Sequence, residues 1–263
     1  MVDLPDAFDL GPVMRALSRR KDKKAKAAGH ALRKYRDGRS ALHDLLFAHE
    51  LVDFLKTRDP LNGGVAGPEP HAVRGACLAH AILLYVRATV PANQDRLPLR
   101  VTPFPTEKLA LLHKQCATLR NKGIAHFDYD RPVGDKSFAD DVLVVVHNEG
   151  AQRIDVADRR VSYQAQLEWD FAELLDHALR IAFSRVQEMD RNVGKYLKEI
   201  SAEDPTVAEI IRRHPFDAIE FYGSEENARS FLVHGDSGKD RAGMKDIRPG
   251  WPDWPKRATD EEE

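Results

Sequence analysis

An arginine at position 120, an asparagine at 121, a histidine at 126 and an aspartate at 128 fall within one short stretch, LRNKGIAHFDYD, from Leu119 to Asp130. These residue types supply a cation, a hydrogen-bonding amide and a titratable imidazole, a set suited to phosphodiester chemistry. A guanidinium offers paired N–H donors to a phosphate. Imidazole moves a proton near neutral pH, and the Asn121 amide can orient either partner. Helix geometry limits this reading. At ~100° per residue, positions 120 and 126 diverge by about 120° and by roughly 9 Å along the axis. They can line one groove, but they cannot form a tight acid–base pair on one straight helix. Gly123 can loosen the helix, and a second copy of the stretch from a symmetric partner can complete the site. Lys122 and His126 are four apart and share a face, so Lys122 adds positive charge near the imidazole. A plainer reading stands beside this one. An arginine near a helix C-terminus usually pairs with a carboxylate or with the helix dipole, and a lone histidine there more often caps or packs.

The element that must position these residues is a helix beginning at Thr106. Thr106 is a suitable N-cap, Glu107 complements the macrodipole, and Leu109, Leu112, Cys116 and Leu119 form a three-four-three stripe for a core. Three further helices are expected around it. One runs from Ser40 to about Thr57, with Leu42, Leu45, Leu46, His49 and Val52 on one face and Asp59-Pro60 and Gly63-Gly64 as its stop. A second covers His71 to Val90 and is apolar on most sides, which suits a central position. The third runs from about Leu167 to Ile200, burying Leu167, Phe171, Leu174, Ala178, Ala182, Val186 and Met189. Between Pro91 and Pro105 four prolines rule out continuous helix. After Arg131-Pro132 the period changes: Val142 to Val146, the Asn148-Glu149-Gly150 turn, and Ile154, Val156 and Val161 predict a short β-hairpin near 142–163. Small helices are expected at Val207–Arg213 and Glu225–Leu232. The fold class is therefore mainly α, an antiparallel bundle of about four core helices with an inserted hairpin. The chain divides into a basic N-terminal arm over 1–39, the bundle over 40–200, and a C-terminal extension and tail over 201–263.

Charge is unevenly distributed. The net charge is −2, yet Arg15 to Arg39 holds 11 Lys or Arg against 2 Asp. Such an arm, with Arg19, Arg20, Lys21, Lys23 and Lys24 at its densest point, can hold a polyanion through phosphate contacts without choosing a sequence. It reads equally well as a solvated helix with weak tertiary anchoring. The two cysteines, Cys77 and Cys116, sit in apolar helical patterns and read as small core residues, not as a disulfide framework. Eleven histidines form no HExxH or paired-cysteine pattern, so no metal site is expected. No Gly-rich phosphate loop follows a strand. No apolar run approaches ~20 residues, and the acidic start MVDLPDAFDLGP is unlike a signal peptide, so a cytoplasmic protein with no membrane partner is expected.

The string LRNKGIAHFD resembles the signature of HEPN (higher eukaryotes and prokaryotes nucleotide-binding) domains, and RNK-x-x-AH-x-D is similar to HEPN proteins of abortive-infection and related bacterial defence systems. Arg120 matches that family's arginine, Asn121 its polar residue and His126 its histidine. The resemblance covers roughly residues 40 to 200. It implies a bundle of about four antiparallel helices, usually dimeric, with two motifs facing each other across the interface. It also implies a metal-independent endoribonuclease that needs no cofactor, in which the histidine assists attack by the ribose 2′-hydroxyl and the arginine stabilises the charged phosphate. RNA, a second copy of the chain, and an antitoxin or defence-system partner are the expected partners. The rival expectation is a non-catalytic nucleic-acid- or nucleotide-binding scaffold that keeps the motif for dimer contacts. The arm, the hairpin and the C-terminal extension are departures from the family's pattern.

Overall fold

Two long helices running in opposite directions form the spine of the computed structural model, which describes residues 7–57, 71–91, 96–124, 139–148, 151–160 and 165–234. They are α2, Lys23–Thr57, and α5, Ala165–Glu203. Lys24 meets Glu203 near one end, Gly38 lies against Val186 and Met189 in the middle, and His49 meets Asp176 further along. Ahead of α2, α1 spans Leu10–Arg19, and α3 (His71–Thr89) and α4 (Glu107–Thr118) complete the main bundle with α2 and α5. Its core joins Leu42, Leu45 and Val52 of α2, Ile82 and Tyr85 of α3, Leu109 and Leu112 of α4, and Phe171, Leu174 and Leu175 of α5. The chain is thus mainly helical, with the stripes read for these helices turned inward.

The helix expected to begin at Ser40 in fact begins at Lys23 and passes through Gly38 and Ser40 without a break. Gly38 is a close-approach position and not a stop: a Cβ there would lie 2.8 Å from the Met189 sulfur. The basic segment is also firmly anchored, contrary to the expectation of weak tertiary contact. Val13 and Leu17 of α1 and Ala25, Ala28 and Leu32 of α2 form a second apolar cluster with Val193 and Ile200 of α5 and Val207. Val207 belongs to α6, Pro205–Arg212, which Asp204 caps by accepting a hydrogen bond from the Thr206 amide at 2.9 Å. Ahead of α1, Phe8 bridges Pro215, and the Asp9 amide donates to the His214 carbonyl at 2.8 Å. The small α7 (Ala218–Tyr222) and α8 (Glu225–His234) follow.

The connection from α3 to α4 is irregular over its described residues, yet it is held down. The Leu99 amide donates to the Ala88 carbonyl at 2.8 Å, and Leu99 and Val101 are buried. Arg87 and Arg96 both engage the buried Asp44 carboxylate of α2. Strands β1 (Ala139–Asn148) and β2 (Ala151–Arg160) pair antiparallel, with Leu143 opposite Val156 and Val145 opposite Ile154. Leu143, Val145 and Ile154 are exposed. Val161, expected to pair here, and the tail beyond residue 234 lie outside the described residues. No helix among the described residues is long and apolar enough to cross a membrane.

Candidate functional site

Helix α4 is fixed from both sides before it delivers Arg120. Thr106 accepts a hydrogen bond from the Leu109 amide at 3.2 Å, so the helix starts where its cap residue stands. Leu109, Leu112, Cys116 and Leu119 are all buried. The Lys108 ammonium pairs with Asp170 at 2.8 Å and Glu173 at 3.2 Å on α5. On the α3 side, the Tyr85 hydroxyl and the His113 Nδ1 are 2.8 Å apart, and the imidazole also packs against Phe104. Burial pushes the His113 imidazole below, and the Tyr85 phenol far above, their ordinary ranges, so both are neutral in this contact. His113 is a packing residue. Burial likewise pushes the Cys116 thiol up to about 12, which removes it as a nucleophile at neutral pH.

Past Thr118 the helix widens into a π turn over Leu119–Ile124. Such turns are rare and recur where a helix carries function. Arg120 and Asn121 stand in it. The half-buried Arg120 donates from Nη1 to the Asn121 Oδ1 at 2.9 Å. Among the described residues no carboxylate pairs with Arg120. Among the described residues one of its five N–H donors is engaged, and a guanidinium so placed suits an anion. The plainer reading of an arginine neutralised by an acidic neighbour therefore finds no partner among those residues, although the helix C-terminus still attracts the cation. The Lys122 backbone belongs to the same turn. The Lys122 side chain, His126 and Asp128 lie outside the described residues.

Sequence reasoning missed a buried ion pair in the same bundle. Arg74, in the first turn of α3, approaches Glu168, in the first turn of α5, with Nη2 3.3 Å from Oε2. Both side chains are buried, and the other carboxylate oxygen, Oε1, has no hydrogen-bond partner among the described residues. Helix α3 also packs against the π turn. Each residue alone resembles an ordinary charged helix terminus, and only the packing of α3 against α5 brings them together. No three His, Cys, Asp or Glu side chains among the described residues converge to hold a metal ion.

The five cations singled out in the basic arm divide into two groups. Arg20 pairs with Asp22 at 3.0 Å and with Asp204, and Lys24 pairs with Glu203 at 2.6 Å. Arg19, Lys21 and Lys23 are exposed and have no ion pair among the described residues. This surface does not lie beside Arg120. The Lys24–Glu203 and Lys108–Asp170 contacts mark positions about 33 residues apart on α5, or ~50 Å. The run from Lys108 to Arg120 recovers at most ~18 Å, leaving roughly 30 Å or more between the α1–α2 turn and Arg120. Comparison with known protein families, curated proteins and solved structures finds no match.

Proposed function

We propose that this chain is a metal-independent endoribonuclease of HEPN type, acting in the cytoplasm as a homodimeric, toxin-like effector of phage defence or stress response. The observation that carries the reading is the Arg120 guanidinium, which has no carboxylate partner among the described residues and is oriented by Asn121 in a widened helical turn. A guanidinium left in this state suits a phosphate, whose charge grows as a nucleophile adds to phosphorus. In this mechanism His126 takes the proton from a ribose 2′-hydroxyl. The 2′-oxygen then bonds to phosphorus and the bond to the 5′-oxygen breaks, leaving a 2′,3′-cyclic phosphate and a 5′-hydroxyl that takes up a proton. Arg120 holds the phosphate oxygens through the charged stage, Asn121 orients Arg120, and Lys122 adds positive charge. The helical distance between positions 120 and 126 favours a site completed by a second copy of the motif across a dimer. An antitoxin or defence-system partner would restrain such an activity in the cell.

The test is incubation of the purified protein with labelled cellular RNA in excess EDTA, beside the His126→Ala and Arg120→Ala variants. Cleavage should survive chelation and fall by about 10²–10⁴-fold in the histidine variant, the range for loss of a positioned acid–base group. Cleavage at the parental rate in His126→Ala overturns the assignment. If no protein cuts RNA and Arg120→Ala instead lowers the dimer fraction on size exclusion, the chain is a non-catalytic scaffold.

A further inference from the structure

The geometry points to a second RNA-binding surface, formed by the α1–α2 turn and the outer face of α2, that grips the phosphate backbone roughly 30 Å or more from Arg120. The inference relies on the ribonuclease reading only for the identity of the polyanion. Arg19, Lys21 and Lys23 fall within five residues at the turn, and Lys23, Lys26, His30 and Lys34 continue along α2 at three- and four-residue steps. All of these are exposed, on the side of α2 opposite the buried Ala25, Ala28 and Leu32. Arg19, Lys21, Lys23, Lys26 and Lys34 have no ion pair among the described residues. By contrast, Arg20 and Lys24 are held by Asp204 and Glu203 and so serve to brace the turn against α5 and α6.

From Lys23 to Lys34 is ~17 Å of helix, about the axial rise of five stacked nucleotides at ~3.4 Å each. A rigid row of this length tracks a backbone and reads no bases. An anionic membrane fits less well. Helices that lie on lipid present an apolar face to it, whereas the apolar face of α2 is packed inside and no large apolar residue of α1 or α2 is exposed. The distance to Arg120 means that one RNA touching both places must run to about ten stacked nucleotides or more.

The test measures binding of a fluorescent 30-nucleotide single-stranded RNA to the full chain in EDTA across a salt series. It compares the parent with the triple variant Lys23→Ala, Lys26→Ala, Lys34→Ala and with Lys24→Ala. Each lost phosphate contact lowers the slope of log affinity against log salt by about 0.7. The triple variant should therefore be shallower by about two, with affinity at least tenfold lower, and the corresponding Lys→Arg triple should restore both. Lys24→Ala should leave the slope unchanged. Parental slope and affinity in the triple variant overturn the proposal. So does loss of binding to phosphatidylserine vesicles with RNA binding intact. Failure of the ribonuclease reading looks different: the RNA binds with the parental slope and is never cut.

Discussion

Gly29 and Gly194 show how one residue type carries opposite meanings that only packing separates. A Cβ on Gly29 would sit 2.7 Å from the Ser18 hydroxyl oxygen and 3.0 Å from the Ser18 backbone nitrogen. The hydroxyl is engaged with the Met14 carbonyl at 2.8 Å, and the backbone of α1 cannot yield locally. Gly29 is therefore the contact that lets α1 lie directly on α2. Gly194, on the exposed side of α5, has nothing within 4 Å of its would-be Cβ. Gly29→Val should cost about 1–3 kcal/mol through overpacking. Gly194→Ala should gain roughly 0.5–1 kcal/mol by restricting the unfolded chain and favouring helix. Urea unfolding of the two variants checks both signs, and a stable Gly29→Val protein would mean that α1 does not seat on α2 as described. In the sequence both are isolated glycines within helical patterns. Arg120 is the reverse case: its type and position were legible, but the absence of a carboxylate partner among the described residues and the π turn beneath it were not, because both depend on how the helix end packs.

Elements built on large apolar residues were legible, and those built on small ones were not. The stripe Leu109, Leu112, Cys116 and Leu119 placed α4 and its cap at Thr106 correctly, since leucines at helical spacing mark a buried face directly. The first half of α2 is buried mostly through the small residues Ala25, Ala28, Gly29 and Gly38, with Leu32 the one leucine among them, so it shows little contrast with the lysines between. Its charges drew attention and its contacts did not, so an anchored helix read as a loose arm. The Arg74–Glu168 pair was also invisible, because it joins the starts of two helices 94 residues apart. It gives a prediction for the seam between α3 and α5. Glu168→Ala removes the carboxylate that faces the buried Arg74 guanidinium and should lower stability by about 1–3 kcal/mol. The double variant Arg74→Met, Glu168→Leu replaces the pair with apolar volume and should recover most of that loss. Thermal or urea unfolding reads the difference, and a double variant no more stable than Glu168→Ala would show that these side chains do not act as a pair.

At the scale of the whole molecule, α2 and α5 are joined beyond their midpoint by a histidine that two carboxylates hold protonated, which makes the stability of the bundle depend on pH. His49 faces Asp53 through Nδ1 at 3.1 Å and Asp176 through Nε2 at 3.4 Å, with its side chain 29% exposed. The Asp176 carboxylate and then Asp53, against a smaller opposing effect of burial, raise the imidazole from 6.5 to about 9. Although burial favours the protonated acid, His49, with Lys56 and Arg180 nearby, holds the Asp176 carboxyl below its usual value. The folded state therefore prefers the protonated histidine more strongly than the unfolded chain does. Its contribution is complete below pH 6.5 and is lost as pH rises through about 9. The Asp176 contribution has the opposite sense, being present above the ordinary carboxylate range and lost as pH falls through its depressed folded value. A shift of this size on a fully buried group would be worth more than 3 kcal/mol. With both carboxylates half exposed, solvent screening reduces the expected contribution to about 1–2 kcal/mol. Stability measured by urea unfolding should thus decline between pH 6.5 and 9, and His49→Gln, which keeps hydrogen-bonding capacity without the titration, should be flat across that window. The two proteins should converge once the pH has risen past about 9. A parent that shows no decline, or a His49→Gln variant that declines equally, would place the charge that joins α2 to α5 elsewhere.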